Sequence, residues 1–311
     1  MKRSLITLVA MGLGISLIGA ACGSDDDGND SAGGETTDKK VAVTIGAQDF
    51  GESKILAEIY KQGLEAEGYA ASVKFLGTNS FRDIEVDAFE QGEINFAPEY
   101  AASMLEFLNN KKGEASGDVS ATVAKLETYL EAKSLHALEP SDAVDTNAFV
   151  MTKAKSDELG IKSLSDLASK GKDLKLGAPG DCVTNPFCIP GLKNTYGLDL
   201  TKNVTSLGAG QVADALDAGS VQVGLLFSTD GTIKTKNYVL LDDDKNMLAA
   251  DNVIPVVSQD LIVQQSFIKA ANAISAKLTT DALIEMNKRF DVDKEDAELI
   301  AKEFLEENDL L

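Results

Sequence analysis

The chain has 311 residues, with 29 basic and 50 acidic side chains and a formal net charge of −21. Such an acidic surface repels nucleic acid and anionic lipid headgroups, so neither is a predicted partner. Hydrophobic residues make up 44% of the chain, which is enough for one large or two medium cores. With one histidine and three cysteines, the chain cannot supply a histidine-rich metal site, and neither a metal nor a cofactor is predicted.

Residues 1–21 have the layout of a secretory signal. Two basic residues precede an apolar run over residues 5–18, which is too short to span a bilayer as a stable helix, and small residues follow it. We therefore predict an exported protein with about −23 net charge, from 27 basic and 50 acidic side chains left after cleavage. Cys22 resembles the cysteine of a bacterial lipobox, although Gly19 stands where leucine is usual. The resemblance implies a lipid on Cys22 and anchoring to the membrane in the bacterial cell envelope, with plain secretion as the alternative.

Residues 22–40 predict a flexible tether. They are nearly all glycine, small polar or charged residues. Such a segment cannot bury enough apolar area to offset the entropy of ordering it. The folded body is therefore expected to begin near residue 41, attached through its N-terminus.

Beyond the tether, strand and helix patterns alternate. Residues 41–45 are typical of a buried strand, residues 52–67 of a helix that ends at Gly68, and residues 72–76 of a second strand, with Asp49 as one possible N-cap. Further helices are predicted over residues 81–91, 121–133, 163–170 and 212–218, and further strands over residues 94–97, 174–178, 221–227 and 238–241. Strand, helix and strand in that order favour a parallel sheet.

An internal repeat predicts two similar lobes. Residues 87–96 and 214–223 both carry Asp-Ala-apolar at the end of a helix, then a glycine and a strand. Polar residues follow each strand, at Glu99 and Tyr100 in one case and at residues 228–230 in the other. Because ligands bind at the carboxyl ends of parallel strands, we predict a site in a cleft between the lobes.

Short motifs occur in a fixed order along the chain. They are Gly-Ala-Gln-Asp-Phe at 46–50, the run 92–100 ending in Pro-Glu-Tyr, Ser-Asp-Leu at 165–167, Pro-Gly-Leu-Lys-Asn-Thr-Tyr-Gly-Leu at 190–198 and Phe-Ser-Thr-Asp-Gly at 227–231, before an acidic helical tail. This series resembles the glycine betaine/choline family of substrate-binding proteins, which serve ABC importers for osmoprotectants.

The resemblance implies an α/β periplasmic-binding-protein fold. Two α/β lobes enclose a ligand cleft and are joined by two crossing strands, with lobe one at 41–144 plus 255–311 and lobe two at 145–254. It further implies a monomer that binds a small solute by lobe closure and delivers it to ABC permease subunits. The N-terminal lipid would be its only contact with the membrane.

The ligand-binding positions depart from that family. A quaternary ammonium group is held by aromatic ring faces, and here Tyr100 and Phe227 occupy cage positions while Asn147 and residues 251–252 replace rings. Asn185 stands where the family has an arginine for the ligand carboxylate. The predicted cleft residues are Gln48, Tyr100, Ser103, Asp145, Asn147, Asp181, Asn185, Phe227, Thr229, Asp251 and Asn252. Amides and carboxylates favour a polar, zwitterionic or cationic solute with N–H or O–H groups over a simple trimethylammonium.

Six of these residues have a structural alternative. Tyr100 and Phe227 are also compatible with core packing, and residues 251–252 with loop capping. Asp145 is compatible with a hinge carboxylate that bonds to backbone, and Asp181 with an ordinary loop residue.

Other function classes have less support. Residues 208–213 follow a strand-like segment and resemble a dinucleotide fingerprint with Asp230 downstream, but an exported protein meets little nicotinamide cofactor. His136, the single histidine, is interpreted as structural. No Cys-x-x-Cys, His-Glu-x-x-His or Gly-x-Ser-x-Gly motif is present, so an enzyme is not predicted. An exported glycosidase with two carboxylates and a ligand sensor without a transport role stay as alternatives.

Cys182 and Cys188 are predicted to form a disulfide. Export places them outside the reducing cytosol, and lipid on Cys22 leaves these two cysteines to pair. Five intervening residues with a proline allow the two Cα atoms to approach to the ~5.5 Å that a disulfide needs. Free buried thiols are the alternative.

Overall fold

The computed structural model of the protein describes residues 41–77, 81–208 and 210–311, without the side chains of Phe81 and Asp181. The predicted signal peptide, the lipidation site at Cys22 and the tether lie outside the described residues. The described residues belong to a single compact unit. None of the described helices is long and apolar enough to cross a membrane.

Ten strands and thirteen helices alternate along the described chain. In chain order the strands are β1 (Val43–Ala47), β2 (Ala71–Phe75), β3 (Phe96–Tyr100), β4 (Leu135–Ala137), β5 (Asn147–Thr152), β6 (Leu176–Ala178), β7 (Val204–Ser206), β8 (Val223–Phe227), β9 (Tyr238–Leu240) and β10 (Val253–Ser258). The helices are α1 (Gly51–Ala66), α2 (Phe81–Glu90), α3 (Ala101–Leu108), α4 (Val119–Glu131), α5 (Lys153–Leu159), α6 (Leu164–Lys170), α7 (Ile189–Tyr196), α8 (Gln211–Asp217), α9 (Gly231–Thr235), α10 (Gln259–Ile262), α11 (Gln265–Ser275), α12 (Thr280–Asp291) and α13 (Ala297–Glu307).

The strands form two five-stranded sheets. The first has the order β2-β1-β3-β10-β4 and the second the order β7-β6-β8-β5-β9. We call the first sheet with its helices lobe one and the second sheet with its helices lobe two. Helix α12 belongs to lobe one, because Leu283 and Met286 are buried in the same core as β1 and α1.

The predicted parallel pairing of the first two strands is confirmed, and both sheets also contain antiparallel strands, so they are mixed. Strand β1 runs parallel to β2 and β3, and β6 runs parallel to β7 and β8, but β10 and β5 are antiparallel to their neighbours. The first residue of β10, Val253, pairs with Tyr100, the last residue of β3. Likewise Asn147 begins β5 and pairs with Phe227 at the end of β8. A strand that enters a sheet at the carboxyl end of its neighbours must run opposite to them.

Helix α1 illustrates how the apolar pattern becomes a buried face. The stripe Ile55, Leu56, Ile59, Tyr60 and Leu64 is almost fully buried in the core of lobe one. The helix ends at Ala66, and the predicted stop, Gly68, follows two residues later with φ of 80°.

The predicted N-cap of α1, Asp49, is wrong. Phe50 occupies the N-cap position without a side-chain hydrogen bond. The Asp49 carboxylate forms an ion pair with Lys54 at 2.5 Å instead. The chain leaves β1 in an extended conformation for one residue more than the pattern predicts, which shifts the cap by one position.

Candidate functional site

Two extended segments cross between the lobes. The Asp145 amide donates to the carbonyl of Asp251 at 3.0 Å, and the Val253 amide donates to the carbonyl of Ala143 at 2.9 Å. Val144 and Asn252 form an antiparallel bridge between them. These segments lead directly into β5 and β10, so the crossing lies at the carboxyl ends of β3 and β8.

Alternation along the crossing segments separates two faces. Successive side chains of an extended chain point to opposite sides, so Asp145 and Asp251 share one face with the strand ends. Val144 and Asn252 lie on the other face, where they line a cavity of about 360 Å³. There the Asn252 amide donates to the Ser141 carbonyl at 2.8 Å. Asp251 and Asn252, which were predicted together, therefore face different surfaces.

Asp251 is buried and held by α3. The backbone amide of Ser103 donates to its Oδ1 at 2.9 Å, and the Ser103 hydroxyl donates to its Oδ2 at 2.6 Å. Burial raises the pKa of Asp251 to about 6, although these two hydrogen bonds and the Arg82 guanidinium act in the opposite direction. This carboxyl group is therefore harder to ionise than an ordinary aspartate.

Tyr100 ends β3 and donates its hydroxyl to Glu52 Oε1 at 2.6 Å. Burial, followed by the Glu52 carboxylate, raises the pKa of Tyr100 well above its ordinary value, so the phenol keeps its proton as a donor. Glu52 lies in the first turn of α1 and is itself buried. Burial raises the pKa of Glu52, and hydrogen bonds from Tyr100 and Asn287 moderate that rise.

Sequence reasoning did not identify Glu52 or Asn287. An acidic residue in the first turn of a helix is ordinary, because it interacts favourably with the helix dipole. An asparagine near the end of α12 likewise carries no distinguishing pattern. Their partnership spans 235 residues and exists only in the folded chain.

Thr229 connects lobe two to the crossing strand. Thr229 lies two residues beyond the end of β8, and its hydroxyl donates to Asp145 Oδ1 at 2.9 Å. Burial raises the pKa of Asp145 well above its ordinary value, and the carboxylates of Glu52 and Asp251 raise it further. The strand ends and the crossing segments thus gather three carboxyl groups around Tyr100 and Thr229.

A separate ion pair lies behind this group. Arg82 Nε and Nη2 donate to the two carboxylate oxygens of the fully buried Glu99 at 3.0 and 2.9 Å. Burial and the neighbouring Glu99 carboxylate raise the pKa of Glu85 well above its ordinary value. The Arg82 guanidinium is therefore engaged by Glu99, and the buried Glu85 beside it is harder to ionise than an ordinary glutamate.

The predicted disulfide between Cys182 and Cys188 is confirmed, with 5.2 Å between the Cα atoms. The loop that it closes contacts β5, since the Asn147 amide donates to the Phe187 carbonyl at 3.1 Å. Asn185 Oδ1 accepts a hydrogen bond from the Phe187 amide at 2.9 Å. Both asparagines are thus joined to one stapled loop of lobe two.

The other predicted positions differ in exposure. Phe227 is 56% exposed at the end of β8, which does not fit core packing, whereas Tyr100 is buried and hydrogen-bonded. Gln48 follows β1, and its backbone N–H donates to Ser53 Oγ at 2.9 Å. Asp181 belongs to a short 3₁₀ turn, but its side chain lies outside the described atoms.

His136 is a packing and hydrogen-bonding residue of β4. Its ring nitrogens contact Glu127 at 2.8 Å and Gln259 at 2.9 Å. Within residues 41–77, 81–208 and 210–311, no three His, Cys, Asp or Glu side chains are grouped so that they could hold a metal ion. The segment predicted as an alternative dinucleotide fingerprint includes Ala209, outside the described residues, and leads into the seven-residue helix α8.

Comparison with known proteins identifies the relatives of this chain. A family described as "Substrate binding domain of ABC-type glycine betaine transport system" matches residues 41–307. The glycine-betaine-binding protein of Pseudomonas aeruginosa is 29% identical over 281 residues, covering 86% of this chain and 88% of that protein. The carnitine transport binding protein OpuCC of Listeria monocytogenes is 21% identical, covering 86% and 87%.

A solved structure shows the same fold. The crystal structure of a glycine betaine/carnitine/choline ABC transporter superimposes with a TM-score of 0.76 at 24% identity. The superposition covers 86% of this chain and 99% of the other.

Proposed function

The chain belongs to the family of substrate-binding domains of ABC-type glycine betaine transport systems, and we propose that it captures a small polar, zwitterionic or cationic solute by closing its two lobes. Like its relatives, it is a solute-binding protein of an ABC importer and not an enzyme. Closure would bring contacts from both lobes onto one ligand, and the permease would recognise the closed state.

The observation that carries this proposal is the pair of carboxyl groups on the crossing segments. Asp145 and Asp251 lie on the face of the crossing that also holds Ser103 and Thr229. Both pKa values are raised by burial, so the folded protein holds carboxyl groups that a cation would stabilise in their charged form. A ligand with N–H groups would both neutralise them and donate hydrogen bonds to them.

A simple trimethylammonium group fits this surface poorly. It has no hydrogen-bond donor, and it is held best by several ring faces, each worth roughly 0.5 to 2 kcal/mol to a desolvated cation. Here Tyr100 and Phe227 are the aromatic members of the proposed site. The remaining proposed ligand contacts are Gln48, Ser103, Asp145, Asn147, Asp181, Asn185, Thr229 and Asp251. Asn252 faces the opposite side of the crossing and has the weakest support of the predicted residues.

We propose that lobe one comprises residues 41–144 and 255–311 and that lobe two comprises residues 145–254. The two sheets support this division, although β10 of the first sheet begins two residues before residue 255, at Val253. A signal peptide over residues 1–21 would be removed, lipid on Cys22 would anchor the mature protein outside the cytoplasm, and residues 22–40 would tether the lobes. A monomer suffices for this function, because both lobes come from one chain.

Thermal-shift screening tests the ligand class, because a solute that binds only the folded state raises its melting temperature. The screen covers betaines, choline, carnitine, amino acids, polyamines and polyols, and calorimetry follows each positive result. We expect an N–H-bearing solute to bind, and Asp145→Asn to weaken its binding at least about tenfold, the loss of one charge-assisted contact. Asp173→Asn, in an exposed loop of lobe two, is the matched control. Sub-micromolar binding of glycine betaine or choline would contradict the ligand assignment.

A ligand sensor without a transport role is the second candidate. It would share the fold, the cleft and the affinity, so binding measurements do not separate the two. Uptake of the identified solute by cells lacking the cognate permease genes does separate them, because a sensor would leave uptake unchanged.

A further inference from the structure

A buried chain of hydrogen bonds joins the two lobes beyond the crossing segments. It begins in lobe one, where the Tyr100 hydroxyl donates to Glu52. The Asn287 side-chain amide of α12 donates to Glu52 Oε2 at 2.5 Å and to the carbonyl of Thr229 in lobe two at 3.0 Å. The Thr229 hydroxyl then donates to Asp145 on the crossing segment at 2.9 Å.

This series of hydrogen bonds passes from one lobe to the other at a single atom, the side-chain nitrogen of Asn287. Asn287 Nδ2 contacts Glu52 of its own lobe and Thr229 of the other, and these three residues are 4%, 4% and 2% exposed. Polar groups are buried without penalty only while they keep their hydrogen bonds. Separation of the lobes at this point would break the link between Asn287 and Thr229.

A close helix contact surrounds this link. Gly231, the first residue of α9, lies directly over the backbone of Lys288 in α12. A Cβ atom at position 231 would lie 2.6 Å from the Lys288 Cα atom and 2.7 Å from its nitrogen. Lys234 and Glu285 add an ion pair between the same two helices at 3.0 Å. Lobe two therefore approaches α12 at backbone distance, which only glycine permits here.

We infer that Asn287 and Gly231 form a latch that holds the lobes in the arrangement described here, that this arrangement is the closed one, and that Glu52 positions Asn287. The inference rests on the proposed function, because a latch requires lobes that open and close. The ends of the hydrogen-bonded chain, Tyr100 and Asp145, belong to the proposed ligand site. A ligand that contacts either end orders the chain and so favours closure.

Distances between the lobes of the protein without added solute test the latch directly. Spin labels on Glu131→Cys in lobe one and Lys172→Cys in lobe two report the separation by pulsed electron spin resonance. The full chain carries Cys22→Ser, and the Cys182–Cys188 disulfide is kept intact. Asn287→Ala removes the donor to Thr229, and we expect the ratio of short to long distances to fall about fivefold or more, the effect of one or two lost hydrogen bonds. Asn308→Ala is the control, because that asparagine bonds only within α13.

A second variant guards against local unfolding around Asn287. Gly231→Ala leaves every donor and acceptor of the hydrogen-bonded network unchanged but forces α9 away from α12, so it should also shift the distances toward the open population. Unchanged distances in both variants, with a cooperative melting transition retained, would overturn the latch. The proposed function fails separately: if no compound of the thermal-shift panel binds, solute capture is in question whatever the distances show.

Discussion

Burial of Asp251 gives this residue a pH-dependent effect on stability. Its pKa is raised from an ordinary value of 3.8 to about 6, so between these values the folded state holds a proton that the unfolded chain releases. The folded state therefore loses stability as the pH rises from about 4 to about 6, and the loss persists at higher pH.

Asp251→Asn should remove this dependence, because the amide has a similar shape and no charge. We expect the free energy of unfolding at pH 7 to increase by about 1 to 3 kcal/mol, and to change little at pH 4. Urea denaturation at both pH values measures the difference. Asp173→Asn controls for a change in net charge at an exposed site. A destabilised Asp251→Asn protein at pH 7 would show that the carboxylate is stabilising after all.

The two asparagines in former cage positions differ in the face that they occupy. Asn147 lies beside the stapled loop and opposite Phe227 in the sheet, whereas Asn252 lines the cavity behind the crossing. Asn147→Tyr should therefore strengthen glycine betaine binding by roughly 0.5 to 2 kcal/mol, the value of one ring face. Asn252→Tyr serves as its matched control and should leave that affinity unchanged. Isothermal calorimetry compares them, and an equal gain in both variants would contradict the assignment of faces.

At the scale of elements, the stapled loop over residues 182–188 links stability to binding. Both half-cystines are buried in the core of lobe two, while Asn185 and Phe187 between them bond to each other and to β5. The disulfide thus holds together a buried anchor and the segment that contacts β5 beside the proposed ligand site.

Replacing the pair, Cys182→Ala with Cys188→Ala, should reduce the free energy of unfolding by about 2 to 2.5 kcal/mol, as expected for so short a loop. The loss in the free energy of solute binding should be larger than this loss in the free energy of unfolding, because the loop must then be ordered when the ligand arrives. Chemical denaturation and calorimetry give the two quantities. Intact affinity in the double variant would show that the hydrogen bonds order the loop without the disulfide.

The helices and strands for which the sequence predicted bounds lie close to those bounds in the structure, because their signals are local. The apolar stripe of α1 and the β-branched start of β1 place those elements within two residues of their observed bounds. Strand β3 extends to Tyr100 through Pro98, beyond the predicted end at residue 97. Proline weakens a strand pattern, but here Pro98 faces Pro255 across the sheet, and neither residue has an amide to leave unpaired.

For the whole molecule, anchoring and folding should be separable. The lipidation signal lies outside the described residues, and both cores are built from residues beyond position 41. Cys22→Ser should release the protein from the membrane while leaving its melting temperature within experimental error of the unmodified body. Fractionation of cells expressing each form, with and without an inhibitor of lipoprotein signal cleavage, checks this. Retention of the Cys22→Ser protein on membranes after a high-salt wash would exclude the lipid anchor.

The sequence by itself determined the family, the α/β character and the disulfide pair. Ordered motifs such as residues 46–50 and 190–198 are local patterns, and the predicted lipid on Cys22 would leave a single pairing for the other two cysteines. The sequence also located most of the polar and aromatic residues at the strand ends, because Tyr100 and Thr229 lie within three residues of the predicted ends of recognisable strands.

Only the tertiary structure decided which side chains share a surface. Asp251 and Asn252 are neighbours in sequence, yet the register of the crossing segments directs them to opposite faces. Glu52 and Asn287 are 235 residues apart, yet they share a hydrogen bond. The register of the crossing segments and the hydrogen bond between Glu52 and Asn287 both depend on how distant parts of the chain pack, and no local sequence pattern encodes that packing.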